Sequence, residues 1–289
     1  MAALSHSPWT RITTADPEGA AFVAGAALAA VDALLAAPLP HRGVWLDRLA
    51  LQAATAAAAV LGRREDEAAI RDALSLCPGG GDPGPAGRLF VLWRRLTRRA
   101  PRLDRPALVA AAALLGVADD ATLDRLLDHA GPDIAPIAAA AAVLHACQGG
   151  RPPLLVLGFW VADSLLAHRL GWSVGVPLLA TSKLMARRGA PAIAPAGWSL
   201  GCRDSALAAV ALAADLEHRA VFLLAQRPRL RARASALVVE KLLAQDALAA
   251  SMAIPGISER GLRRLFDRLL ALGAVRELSG RSTSRLYGV

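Results

Sequence analysis

The sequence predicts an all-α protein, an irregular Ala/Leu-rich helical bundle followed by a C-terminal winged helix-turn-helix with a small β-hairpin. Three observations predict it. From Ala20 to about Gln245, apolar residues recur at three- and four-residue steps, the spacing of one helix face. Gly and Pro divide that stretch into separate segments. Period-two alternation is nearly absent until after Gly273, which leaves room for one hairpin.

The first helix is expected over 17–37. Asp16 supplies an N-cap, Pro17 suits the first helical position, and Glu18 puts negative charge against the exposed amides of the first turn. Further helices are expected near 42–61, 64–76, 86–99, 104–116, 119–130, 134–147, 153–170, 174–188, 203–226 and 228–245. Aromatic residues make up 4% of the chain and alanine is abundant, so helix faces must approach closely, with the six tryptophans filling gaps. No fixed repeat period appears, which argues against a regular solenoid. Residues 1–234 read as a helical domain, with a further division near 189–201 left open, and 235–289 as the winged helix-turn-helix domain.

Two loops interrupt the helices. The stretch 78–87, rich in Gly and Pro, precedes an arginine-rich helix. It lacks the Gly-Lys-Ser/Thr ending of a P-loop, so a plain connector is expected. The second, Gly189 to Gly201, contains Pro191 and Pro195.

The C-terminal module carries the most explicit signals. Leu237–Ala244 supplies a first helix, Asp246 to about Met252 a short second one, and Pro255-Gly256 the turn. Ser258 is placed to cap a third helix, Glu259–Leu272, whose Leu262, Leu265, Phe266, Leu269 and Leu272 share one face. The other face carries Arg260, Arg263, Arg264 and Arg268, and Gly273 closes the helix. Ala274–Leu278 and Thr283–Tyr287 alternate around Ser279-Gly280-Arg281, a hairpin signal that makes a wing beside the helix. Arg276, Arg281 and Arg285 then join the basic face. Between Ser251 and Val289 seven arginines face Glu259, Asp267 and Glu277, a net charge of +4. Ser258, Arg260, Arg263, Arg264, Arg268, Arg276, Arg281 and Arg285 are therefore the candidate DNA contacts. Winged helices also serve as protein-contact modules, and an arginine face is also a well-solvated one.

The run from Ile257 through Phe266 to Val275, continued by Arg276-Glu-Leu-Ser-Gly-Arg-Ser-Thr-Ser-Arg-Leu-Tyr-Gly-Val289, resembles the ending of several bacterial winged-helix proteins. Among them are the helix-turn-helix tails of Fic-like proteins and the second winged helix of the condensin accessory subunit ScpB. The Fic His-Pro-Phe core is missing, so AMP transfer is not implied. Over the whole chain, Gly62 to Asp72 and Asp82 to Arg88 resemble an uncharacterised alphaproteobacterial family of unknown function and similar length. That resemblance implies a bacterial cytoplasmic protein and no particular reaction.

Composition narrows the partners. The net charge is +9 and the pI near 10.9. Lys183 and Lys241 are the only lysines, so arginine carries nearly all the positive charge, which favours phosphate. Cys77, Cys147 and Cys202 are odd in number and far apart, which suggests neither a disulfide framework nor a thiolate zinc site and fits a reducing cytoplasm. The apolar run Ala20–Val31 is preceded by Asp16 and Glu18 and followed by Asp32, so it reads as a helix of a soluble protein rather than a signal or membrane segment.

Two patterns point toward catalysis and are outweighed. Gly197-Trp-Ser-Leu-Gly201 matches a hydrolase nucleophile elbow, with Asp215 and His218 downstream, but Pro191 and Pro195 stand where a strand should precede the serine. Gly171-Trp-Ser-Val-Gly175 matches equally well. Asp215 with His218, and Asp163 with His168, suggest ligands on two helices, but no Glu-x-x-His motif is repeated. Asp163 and Asp215 are instead expected to be buried acids paired with arginines such as Arg169 or Arg219. Two further basic clusters, Arg88 to Arg105 around Trp93 and Arg227 to Arg233, read as solvated helix faces or as extensions of a phosphate footprint. The expectation is a DNA-binding regulator with no cofactor, catalytic residue or metal, whose helical body serves dimerisation or a partner. The alternative is a structural adaptor in chromosome or plasmid maintenance, and a hydrolase or metalloenzyme comes third.

Overall fold

The computed structural model describes residues 16–77, 81–117, 119–130, 134–185, 193–230, 233–279 and 285–289. They are mostly helical, in the order α1 (Pro17–Ala36), α2 (Arg42–Val60), α3 (Glu67–Ser75), α4 (Gly84–Thr97), α5 (Arg105–Leu115), α6 (Asp120–Ala130), α7 (Pro136–Ala146), α8 (Pro152–Arg169), α9 (Pro195–Gln226), α10 (Arg233–Ala244), β1 (Leu248–Ala249), α11 (Glu259–Ala271), β2 (Arg276–Glu277) and β3 (Leu286–Gly288). Helix starts are written in the sequence. The Asp16 carboxylate accepts the Gly19 N–H at 2.7 Å, and Asp66 and Asp104 cap α3 and α5 in the same way. Proline occupies the first or second position of α1, α4, α5, α7, α8 and α9, where its missing N–H has no helical partner to lose.

The bundle is held by alanine faces and tryptophans. α1 packs along α9, α2 against α4, and α7 against α8. On α2, Ala50, Ala53, Ala54, Ala57 and Ala58 are buried, which lets neighbouring backbones come close. Trp45, Trp93, Trp160, Trp172 and Trp198 are buried in the same core. The Trp45 indole donates to the Ala209 carbonyl at 2.9 Å and so joins α2 to α9.

Three segments depart from the sequence expectation. Residues 174–185 form turns rather than the helix expected over 174–188; residues 186–188 lie outside the described set. Their amides are captured by an acid from another helix, since Asp163 on α8 accepts the N–H groups of Leu178 (3.1 Å), Leu179 (2.8 Å) and Ala180 (3.0 Å). Helix α9 begins at Pro195, eight residues before the expected start at 203. At 32 residues it is about 48 Å long. Finally, residues 246–252 form β1 and a turn instead of a short helix.

A second apolar cluster gathers α10, α11 and the strands, and it also takes in Ala220 and Leu223 from the end of α9 and Leu230 beyond it. The expected boundary at 234/235 falls after these residues. Among the described helices, α1 is long and apolar enough to cross a membrane, and its Ala20, Val23, Ala27 and Val31 are buried inside the bundle.

Candidate functional site

The C-terminal unit builds one exposed basic helix on a firm base. Ser258 has extended backbone angles and its Oγ accepts the Gly261 N–H at 3.2 Å, fixing where α11 begins. Leu262, Leu265, Phe266 and Leu269 are buried in the second cluster. The Phe266 ring stacks on Tyr287 of β3 at 4.5 Å and 9°. The helix ends at Gly273, whose φ of 68° is in the left-handed region. Its N–H donates to the Leu270 carbonyl and that of Ala274 to the Leu269 carbonyl, the paired bonds of a Schellman cap.

Three short strands close against this helix in the spatial order β1-β3-β2, all antiparallel. Leu248 pairs with Tyr287 and Glu277 with the same Tyr287 from the other side. Ser279 Oγ accepts the Leu286 N–H at 3.0 Å, and this bond draws the ends of β2 and β3 together. Between β1 and α11 the chain runs through turns and an isolated bridge from Ile254 to Ile257.

The expected basic residues are not equivalent. Arg260, Arg263, Arg264 and Arg268 are exposed on α11. Arg263 is engaged by Glu259 one turn before it. Arg260, Arg264 and Arg268 have no ion-pair partner among the described residues. Arg285 lies 3.8 Å from Glu277. Arg276 is exposed on β2 and donates to the Val289 carbonyl at 3.4 Å. Partial burial of its guanidinium lowers its pKa, with the positive charges of Arg219 and Arg48 adding to the effect. Arg281 lies outside the described residues. Ser258 serves as a cap, so the surface that the structure brings together is Arg260, Arg263, Arg264 and Arg268.

What the sequence did not disclose is how this unit is joined to the bundle. Asp246, just after α10, is buried between Arg48 of α2 and Arg71 of α3. Its N–H donates to Asp47 on α2, and Asp47 is held by Arg94 of α4 and by Arg98, the residue just after that helix. Arg94 and Arg98 are therefore engaged in this network, Arg94 half-buried and Arg98 still exposed. Within the other basic cluster, Arg227 approaches Glu240 at 3.8 Å, and Arg231 lies outside the described residues.

The catalytic patterns lose their geometry. Ser199 sits in the first turns of α9, so no strand lifts its hydroxyl, and Gly171–Gly175 lies in turns after α8. Asp215 is paired with Arg219, as expected, with its Oδ2 2.9 Å from Nε, but it is exposed rather than buried. Among the described residues no arginine pairs with Asp163; its oxygens are taken up by the three amides, and Arg169 donates to the Ile134 carbonyl. Among the described residues no three His, Cys, Asp or Glu side chains gather into a metal-binding group.

Cavities also open in the bundle. One, of about 820 Å³, lies among α1, α7 and the start of α9, with apolar walls around His145, which accepts a hydrogen bond from the Trp198 indole at 3.1 Å. Another, of about 520 Å³, opens beside the end of α4. No curated protein matches the chain. A protein family described as being of unknown function matches residues 3–289, nearly its entire length.

Proposed function

The chain belongs to the DUF1403 family, proteins of unknown function, and on that premise we propose that its C-terminal unit is a winged helix that binds duplex DNA through α11, serving a bacterial, cytoplasmic transcriptional regulator. The observation that carries the reading is α11 itself. One face is fixed in a core by Leu262, Phe266 and Leu269, while the other presents Arg260, Arg264 and Arg268 without acidic partners among the described residues. An arginine fork that is not already paired suits a phosphate oxygen or a guanine edge in the major groove. The antiparallel order β1-β3-β2 next to α11 also supports it, since a wing hairpin then flanks the recognition helix. The Arg263–Glu259 pair is exposed on both sides and costs little to open.

A second reading, a structural adaptor that uses this unit to hold a protein partner or a second copy, is favoured by one feature. Val221 and Phe222 are 62% and 45% exposed on the part of α9 that enters the C-terminal core, an apolar pair suited to a protein contact.

Fluorescence anisotropy with duplex DNA across a salt series tests the choice. Replacing Arg260, Arg264 and Arg268 by Ala is expected to weaken binding and to reduce the salt slope by about 3, near 0.9 for each phosphate that is no longer neutralised. Equal binding by the variant removes α11 as the DNA surface. Absence of binding at low salt, with self-association that Phe222→Ser abolishes, favours the adaptor.

A further inference from the structure

The arginines that follow the glycine-rich loop lie outside α11 and are not all engaged alike. Arg88 is paired with Asp82, Arg94 and Arg98 with Asp47, and Arg105 with Asp120 and Asp124. Arg99 and Arg102 have no ion-pair partner among the described residues, and Arg95 donates to the Ala110 carbonyl at 3.3 Å. These three exposed arginines line the cavity of about 520 Å³ between the end of α4, the start of α5 and α8. The one acid on its wall, Asp104, is engaged in capping α5.

Apart from Ser164, whose hydroxyl donates to the Trp160 carbonyl at 2.8 Å, the rest of the wall is made by apolar side chains, among them Leu92, Leu96, Ala107, Ala111 and Trp160. Trp160 is 6% exposed, and its indole N–H is shut from solvent without an acceptor among the described residues. Buried indole donors ordinarily find a partner.

We propose that this cavity binds a small organic anion, a phosphate or carboxylate group on a compact apolar body. The anionic group meets Arg95, Arg99 and Arg102, whose planar forks match oxyanion geometry, and the apolar body lies against Leu96, Ala111 and Trp160. The volume is that of a small-molecule site, within the range of roughly 300–1,000 Å³. A neutral apolar molecule leaves the three charges without a counterion, and a bare inorganic ion leaves the walls unused.

Calorimetric titration of the full chain with phenyl phosphate, benzoate, inorganic phosphate and benzyl alcohol tests this. Saturable binding is expected for phenyl phosphate or benzoate, whichever carries the preferred head, weaker binding for inorganic phosphate, and none for benzyl alcohol. The double variant Arg99→Gln/Arg102→Gln, altered only at exposed positions, is expected to bind about tenfold more weakly with an unchanged melting temperature. The α11 triple alanine variant is expected to bind the anion normally, which separates this site from DNA binding. Neither organic anion binding at millimolar concentration, or the double variant binding as tightly as the parent, overturns the proposal. So does displacement of phenyl phosphate by duplex DNA together with loss of DNA affinity in the double variant, since the arginines then belong to a nucleic-acid surface.

Discussion

Asp246 donates its backbone N–H to the Oδ2 of Asp47 at 3.2 Å, although the two residues are 199 positions apart and both carboxylates are buried. Two buried acids this close repel each other unless cations neutralise them. Four do: Arg48 and Arg71 at Asp246, Arg94 and Arg98 at Asp47. Arg48 also reaches the Val289 carbonyl at 3.4 Å, so the end of the chain is fastened at the same place.

Removing one acid from this network strands its cations. Asp246→Ala leaves Arg48 and Arg71 buried with little compensation. Breaking a buried pair on one side costs about 3–5 kcal/mol. Urea denaturation followed by circular dichroism is expected to show a stability lower by that amount. A loss below about 1 kcal/mol, the range of an exposed ion pair, means that the network is effectively solvated.

The same junction depends on a close approach at Gly43. A Cβ there would lie 2.5 Å from the Ala244 carbonyl oxygen and 2.6 Å from its Cα, both backbone atoms. Gly43→Ala therefore forces α2 and α10 apart and is expected to cost about 1–3 kcal/mol. Gly25 on α1 is the control, because nothing lies within 4 Å of its added Cβ. Gly25→Ala is expected to stabilise by about 0.5–1 kcal/mol through helix propensity. Thermal melts of the two variants should move in opposite directions.

The local features were legible because their causes are local. Asp16-Pro17-Glu18 announces α1, and Ser258, the four buried apolar residues and Gly273 announce α11 with both its ends. The misread segments are governed by distant partners. Leu248 and Ala249 become a strand because Tyr287 and Leu286 pair with them, and 174–185 avoids a helix because Asp163 takes its amides. Arg94 and Arg98 looked like members of a basic face for the same reason, since Asp47 lies 47 and 51 residues away. The cavity lined by Arg99 and Arg102 needed α8 to supply Trp160.

Ser258 offers a finer test of the candidate surface. As a cap it accepts one N–H, from Gly261, so Ser258→Ala is expected to cost about 1 kcal/mol, and Ser258→Asp to keep the stability. In DNA titrations, Ser258→Ala should leave the salt slope unchanged, because a cap contributes no cation. A reduced slope in this variant would make the serine a guide for the arginines rather than a cap alone.

Asp163 gives the fold a pH dependence whose sign follows from its surroundings. Complete burial pushes its carboxyl from 3.8 up to about 7, against the amides of Leu179, Ala180 and Leu178, which favour the charged form. The folded protein then holds this proton more tightly than the unfolded chain does. The contribution to stability is fully present below about pH 4, is lost as pH rises through about 7, and is constant above that. Asp163→Asn cannot titrate. Its Oδ1 can still accept from Leu178 and Leu179, but its amide group opposes the Ala180 N–H, so it is expected to cost about 1–3 kcal/mol at neutral pH. Melting temperatures of parent and variant, measured from about pH 4 to 8, should differ most at the acid end and converge toward neutrality. A gap that widens with rising pH would instead mean that the three amides outweigh burial and keep the carboxylate ionised.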